Sequence, residues 1–113
     1  MFSLRLSIVI PVFNEMETVY DLLEKVSKVQ LQQAVSKEII VVNDCSTDET
    51  KNEVERFKTD HEDCDLVLIN HTFNQGKGAA LHTGIALANG DYLIIQDADL
   101  EYDPQEYQIL LQP

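Results

Sequence analysis

Basic residues are scarce in this chain. Eight Lys and Arg stand against 20 Asp and Glu, a formal charge of −12, so the sequence lacks the basic face that binding a nucleic-acid backbone requires. The same balance argues against direct electrostatic docking on anionic lipid. Bound phosphate is not excluded, because a cation can stand between an acidic protein and an anionic ligand. Cysteine is equally sparse. Cys45 and Cys64 are too few for a disulfide framework or a zinc site and read as ordinary reduced thiols. No apolar run approaches the roughly 20 residues of a membrane span, so no membrane contact is expected within this stretch. The opening Met1-Phe2-Ser3-Leu4-Arg5-Leu6 runs into a strand pattern rather than the apolar region of a secretion signal. The expected location is cytoplasmic, or the cytoplasmic face of a membrane for a longer protein. Internal repeats and linkers are also missing, and 113 residues suffice for one compact domain rather than two.

What the sequence does contain is a regular alternation of short apolar runs and longer stretches of helical period. Leu6-Ser7-Ile8-Val9-Ile10, ending at Pro11, reads as a buried strand, and residues 15–30 as an amphipathic helix with Val19, Leu22, Leu23 and Val26 on one face. Glu38 to Asn43 is a second strand. Ser46-Thr47-Asp48-Glu49 has capping-box spacing ahead of a helix marked by Val54 and Phe57. Leu66 to Ile69 is a third strand. Gly76-Lys77-Gly78 leads into a helix carrying Ala80, Leu81, Ile85 and Leu87, which Asn89-Gly90 closes. Asp91 to Gln96 is a fourth strand, and Asp103-Pro104 opens a last helix. Near-continuous apolar strands joined by helices imply an α/β fold, an open, mostly parallel Rossmann-like sheet with helices on both faces. The pattern leaves the strand order open.

Ligands bind such a sheet at the carboxyl ends of its strands. Pro11-Val12-Phe13-Asn14-Glu15 follows the first strand, Asn43-Asp44-Cys45-Ser46 the second, and Asp97-Ala98-Asp99-Leu100-Glu101 the fourth. Three strands thus deliver carboxylates to one edge, where a cation or a hydrogen-bonding ligand would offset their repulsion. Oxygen ligands of this kind suit Mg²⁺ or Mn²⁺ rather than zinc. The Asp-x-Asp (DXD) spacing is weak by itself, since Asp63-Cys64-Asp65 shares it. That second pair precedes its strand and reads as solvated charge at the opposite edge.

These residues resemble the nucleotide-binding half of the family 2 glycosyltransferases with the GT-A fold, most closely the dolichol-phosphate mannosyltransferase-like and bacterial polyprenyl-phosphate branches. Four motifs occur in order: Ile8 to Glu15, Val41 to Asp48, Asn74 to Ala80, and Gly90-Asp91-Tyr92 through Asp97-Ala98-Asp99-Leu100-Glu101. The resemblance implies an inverting glycosyltransferase that takes a nucleoside diphosphate sugar (UDP- or GDP-sugar) through a divalent metal and transfers the sugar to an acceptor such as polyprenyl phosphate. It also implies that Pro11, Phe13 and Glu15 border the nucleoside, with Val42 and Asp44 at the base. Asp97 would lie at the ribose beside the Ala98 backbone, Asp99 would ligate the metal, and Glu101 would assist it. Asn43 stands where the family's first Asp of a pair usually does, and nucleotide binding is expected to survive because Asp44 is the base-contacting acid.

The chain stops at Pro113. Residues 1–113 would therefore be the nucleotide-sugar-binding part alone, expected to be inactive without the acceptor-binding half. The general base would lie beyond Pro113, and exposed apolar surface would favour self-association. A non-catalytic nucleotide-sugar-binding module is the alternative. A sugar nucleotidyltransferase fits less well, because Pro11 to Glu15 contains neither glycine nor a basic residue.

Taken singly, Glu15 also reads as a first-turn acid favoured by a helix dipole, and Asp44 as a loop acid. Lys77 is a candidate for the diphosphate side, with a solvated lysine as the alternative. His61, His71 and His82 have no mutual ligand spacing and read as surface or packing residues.

Overall fold

The computed structural model describes residues 4–29 and 35–98. Strand β1 (Leu4–Val12), helix α1 (Val19–Lys28), β2 (Val35–Asn43), α2 (Thr50–Asp60), β3 (Leu66–Asn70), α3 (Lys77–Leu87) and β4 (Tyr92–Ile95) follow one another. The sheet order is β3-β2-β1-β4, and every neighbouring pair is parallel. The chain steps outward from β1 to β3, then crosses back to place β4 on the other side of β1. The direction of winding therefore reverses between β1 and β4, which is where a sheet of this kind opens a ligand crevice.

Alternation along the strands divides the core between two faces. Leu6, Ile8, Ile10, Val12, Ile39 and Val41 meet Val19, Leu23 and Val26 of α1 and Val54 and Phe57 of α2, all between 0% and 2% exposed. On the opposite face Ile40 and Val42 pack against Ala80 of α3. That helix lies close to the sheet. A Cβ on Gly84 would sit 2.4 Å from Val9 Cγ1 and 3.3 Å from Val42 Cγ2. The expected helices on both faces are present.

Several local expectations need correction. The first helix starts at Val19 rather than at residue 15, and residues 16–18 form a turn. The Glu15 N–H donates to Thr50 Oγ1 (2.8 Å) and the Met16 N–H to Asp48 Oδ2 (3.4 Å), so side chains from the β2–α2 loop and the first residue of α2 hold this turn in place. The capping box also fails, because the cap position of α2 is Glu49, which makes no side-chain cap bond. Asp48 does the work instead, accepting from both the N–H and the hydroxyl of Thr50. Gly90 is not a left-handed helix stop, since Gly76 alone among the described glycines has positive φ (94°). It is glycine because a Cβ would lie 2.5 Å from Ser7 Oγ and 2.8 Å from the Arg5 carbonyl.

Among the described residues β4 is an edge, with Tyr92 53%, Leu93 38% and Ile95 45% exposed. The helix expected at Asp103-Pro104 lies outside the described residues.

The amino ends of the strands are tied by a polar cluster around Glu38, which is 6% exposed. Glu38 Oε2 accepts from the Ser7 hydroxyl (2.5 Å) and the Asn89 N–H (2.9 Å), and Ser7 Oγ accepts from the Gly90 N–H (2.8 Å). Arg5 donates to Glu38 (3.4 Å), Asn89 (3.0 Å) and Asp65 (2.5 Å). Asp63 and Asp65 are exposed, at the edge opposite the carboxyl ends, as expected.

Candidate functional site

At the carboxyl edge a cleft of about 300 Å³ is lined by Pro11, Val12, Phe13, Glu15, Asp44, Asn74, Gly76, Lys77, Ala80 and Asp97. Six residues singled out from sequence come together here: Pro11, Phe13, Glu15, Asp44, Lys77 and Asp97. They arrive from the ends of β1, β2 and β4 and from the start of α3, so the switch point gathers them. Two others are not brought into the cleft wall. Val42 is fully buried and packs with Ile40 and Ala80 beneath it, and Ala98 packs against the core on the α1–α2 side. Asp99 and Glu101 lie outside the described residues.

Asp44 is the most constrained of these side chains, at 4% exposure. Its Oδ1 accepts from the Gln75 N–H (2.8 Å) and from His71 Nδ1 (2.9 Å), and its Oδ2 accepts from the Gly76 N–H (2.8 Å). Burial would raise its pKa, but these hydrogen bonds prevail and hold the carboxyl below its usual range. Gly76 takes φ 94°, a left-handed conformation suited to glycine, and this presents its N–H to Asp44 as α3 begins. Oδ1 takes two bonds and Oδ2 one, which leaves Oδ2 with acceptor capacity.

The loops around the cleft hold one another. Asn14 accepts the Thr47 N–H at Oδ1 (2.8 Å) and donates its own N–H to Ser46 Oγ (3.0 Å). Asn43 donates from Nδ2 to Asn70 Oδ1 (3.0 Å) and accepts the Ser46 hydroxyl (2.5 Å) and N–H (3.2 Å). An aspartate could not make the bond to Asn70 Oδ1, so the asparagine here has a structural job between β2 and β3. Asn14 (φ 53°) and Cys45 (φ 59°) both adopt left-handed backbone at the cleft rim, a conformation costing a residue such as cysteine about 1 kcal/mol.

Lys77 forms an ion pair with Asp97. Its side chain is 56% exposed against 11% for Asp97. As for metal, no three His, Cys, Asp or Glu side chains converge among the described residues.

One residue at this site was missed. His71, read as surface or packing, has a side chain only 7% exposed and bridges Asp44 and Thr83. His71 directly follows β3, so the strand-end position that marks the other cleft residues marks it as well. His82 is exposed, and His61 stacks on Phe57 at 4.1 Å, as surface and packing residues do.

Glu38, Asp44 and Asp48 all ionise more readily in the folded chain than their ordinary values imply. In each case hydrogen bonds outweigh the opposing effect of burial. The folded state then binds fewer protons than the unfolded one in the carboxylate range, so their contribution is present above that range and lost as pH falls. Stability is expected to drop between about pH 5 and pH 3, and Glu38→Gln to flatten part of that drop. Urea midpoints measured across this range would check it, and a parent whose midpoint did not fall would contradict it.

The chain is 35% identical over 104 residues to the dodecaprenyl-phosphate galacturonate synthase of Rhizobium johnstonii, covering 92% of this chain and 30% of that protein. Its fold is similar to that of the mannosyltransferase PcManGT of Pyrobaculum calidifontis, solved with GDP-Man and Mn²⁺. The TM-score is 0.81 at 27% identity, over 100% of this chain and 34% of the other. S. aureus TarS solved with UDP-GlcNAc is similar with TM-score 0.74 and 26% identity, over 84% of this chain and 26% of that one. The chain thus spans about a third or less of the length of these proteins. No helix among the described residues is long and apolar enough to cross a membrane. The sequence model of Glycosyl transferase family 2 matches residues 7–113, and the chain belongs to that family.

Proposed function

We propose that the protein carrying this chain is an inverting glycosyltransferase and that the cleft holds the nucleoside diphosphate of its sugar donor. The observation that carries this reading is the preset Asp44 carboxylate. It is fixed by two backbone N–H groups and a histidine, and it lines a cleft at the switch point together with Glu15, Lys77 and Asp97. In this reading Asp44 Oδ2 accepts a hydrogen bond from a ring N–H of the base, Pro11 and Phe13 border the nucleoside, and Glu15 lies near base or ribose. Val42 supports the base from beneath, and Asp97 faces the ribose beside the Ala98 backbone. Lys77, standing at the start of α3, is the cation closest to hand for the diphosphate.

Asp99 and Glu101 are the proposed ligands of a divalent cation, Mg²⁺ or Mn²⁺, which would offset charge on the diphosphate when bound. GDP-Man with Mn²⁺ in one structural relative supports this choice. In the reaction an acceptor oxygen attacks the anomeric carbon as the bond to the nucleoside diphosphate breaks. The relative named as a dodecaprenyl-phosphate galacturonate synthase supports such a phosphate as acceptor. It is already ionised and needs little help from a general base. Residues 1–113 would form the donor-binding part and be inactive alone, with any general base and the acceptor site beyond Pro113. The cytoplasm, or the cytoplasmic face of a membrane, is the proposed location. Exposed Leu93 and Ile95 on β4 and Ile85 and Leu87 on α3 support self-association of the isolated stretch.

Calorimetric titration of the intact protein with UDP, GDP and CDP, with and without Mn²⁺, tests the proposal. One nucleotide is expected to bind in a metal-dependent way, and Asp99→Ala is expected to abolish that dependence. A folded parent that binds none of the three would refute it.

A further inference from the structure

His71 is used by nothing in the proposed reaction, yet it is as enclosed as Asp44. Its N–H donates to the Asn43 carbonyl (2.9 Å), which seats it beside the end of β2. Its ring spans two elements. Nδ1 lies 2.9 Å from Asp44 Oδ1, and Nε2 lies 2.9 Å from Thr83 Oγ1, in the second turn of α3. An ionised carboxylate only accepts, so Nδ1 carries a proton and donates it to Asp44. The Thr83 hydroxyl has two acceptors within reach, His71 Nε2 and the Ala79 carbonyl at 3.0 Å. One hydroxyl proton serves one of them at a time, so Nε2 has its partner when Thr83 donates to it.

The two N–H donors from Gln75 and Gly76 tie Asp44 to the loop that precedes α3. They hold the carboxylate at the cap of α3, where the Gly76 carbonyl accepts the Ala80 N–H (3.1 Å). His71 also links Asp44 to Thr83, within the helical body of α3, whose Ala80 and Gly84 are packed on the sheet. We propose that His71 is a positioning residue whose Nδ1 holds the Asp44 carboxylate, so that the base-recognising wall of the cleft is preset. The inference rests on the reading that the cleft takes a nucleoside.

The two halves of the ring can be separated. The side-chain nitrogen of asparagine falls near the place of Nδ1, and that of glutamine near Nε2. His71→Asn keeps the bond to Asp44 and gives up Thr83, whereas His71→Gln keeps Thr83 and gives up Asp44. In the intact protein, His71→Gln is expected to weaken nucleotide binding about 10-fold or more, while His71→Asn stays within about threefold of the parent. For the complete reaction the loss should fall on KM for the donor rather than on kcat, because a preset wall acts on bound ground state and transition state alike. Urea midpoints measured alongside are expected to fall by similar amounts in both variants, so that binding and stability part company. Equal binding losses in the two variants, or losses that track their midpoints, would overturn the positioning role and leave the donor-site reading standing. A folded parent that binds no nucleotide would overturn that reading and this inference with it.

Discussion

Asp44→Ala is expected to lower the unfolding free energy by about 2–4 kcal/mol and to remove nucleotide binding altogether. The stability loss follows from hydrogen-bond accounting. Three donors, the Gln75 and Gly76 N–H groups and His71 Nδ1, converge on one carboxylate that is 4% exposed. Each buried donor stripped of its acceptor costs about 1–3 kcal/mol, and water entering from the cleft recovers part of that. The full sum is therefore not reached. Asp44→Asn separates the two effects. Its amide oxygen can still face Gln75 and His71, but its NH₂ then meets the Gly76 N–H, donor against donor. Its stability is expected between those of parent and Asp44→Ala, with binding as poor as in Asp44→Ala if Oδ2 is the atom that meets the base. Urea denaturation and nucleotide titration of the three proteins would decide. An Asp44→Ala protein as stable as the parent would show that the network contributes nothing.

Gly90→Ala is expected to cost about 2–3 kcal/mol, from a position at the far end of the sheet. The new Cβ would meet Ser7 Oγ at 2.5 Å and two backbone atoms, Arg5 O and Ser7 N, at 2.8 Å. A side chain can rotate away, but the backbone of a central strand cannot. Relief would require the α3–β4 turn to withdraw, which strains the Gly90 N–H bond to Ser7 and the Asn89 N–H bond to Glu38. Gly78 is the control, because a Cβ there meets nothing within 4 Å. Gly78→Ala is expected to leave stability unchanged or raise it by up to about 1 kcal/mol. Thermal unfolding of the pair would check the contrast, and similar melting temperatures would refute the steric argument.

These two positions also mark how far the sequence could be read. The strand cores and the three helices were legible because apolar spacing follows local geometry: Leu6 to Ile10 and Glu38 to Asn43 both lie within the strands found. The cleft was legible for the same reason, since the residue after a strand end must lie at the carboxyl edge. What escaped depends on partners distant in sequence. The turn at residues 16–18 is held by Asp48 and Thr50, which accept the N–H groups of Met16 and Glu15. Gly90 resembles a helix stop until Ser7, 83 residues away, is seen against it. His71 looked unremarkable because a ligand-spacing rule compares histidines with one another, while its partners are an aspartate and a threonine.

The register of β4 carries a kinetic consequence. It pairs with β1 over four residues, from Leu6 opposite Tyr92 to Val9 opposite Ile95, with further backbone bonds at its two ends, from the Asp91 N–H to the Arg5 carbonyl (2.6 Å) and from the Gln96 N–H to the Val9 carbonyl (2.9 Å). Asp97 comes next, so one wall of the cleft hangs from the shortest strand in the described sheet. Short edge strands are the first to open locally. When this one opens, Asp97 leaves with it, and whatever spans the cleft from Asp44 to Asp97 loses its far contact. A bound molecule in turn suppresses that opening by mass action. The lifetime of an occupied cleft and the fraying of four edge residues are thus governed by the same event.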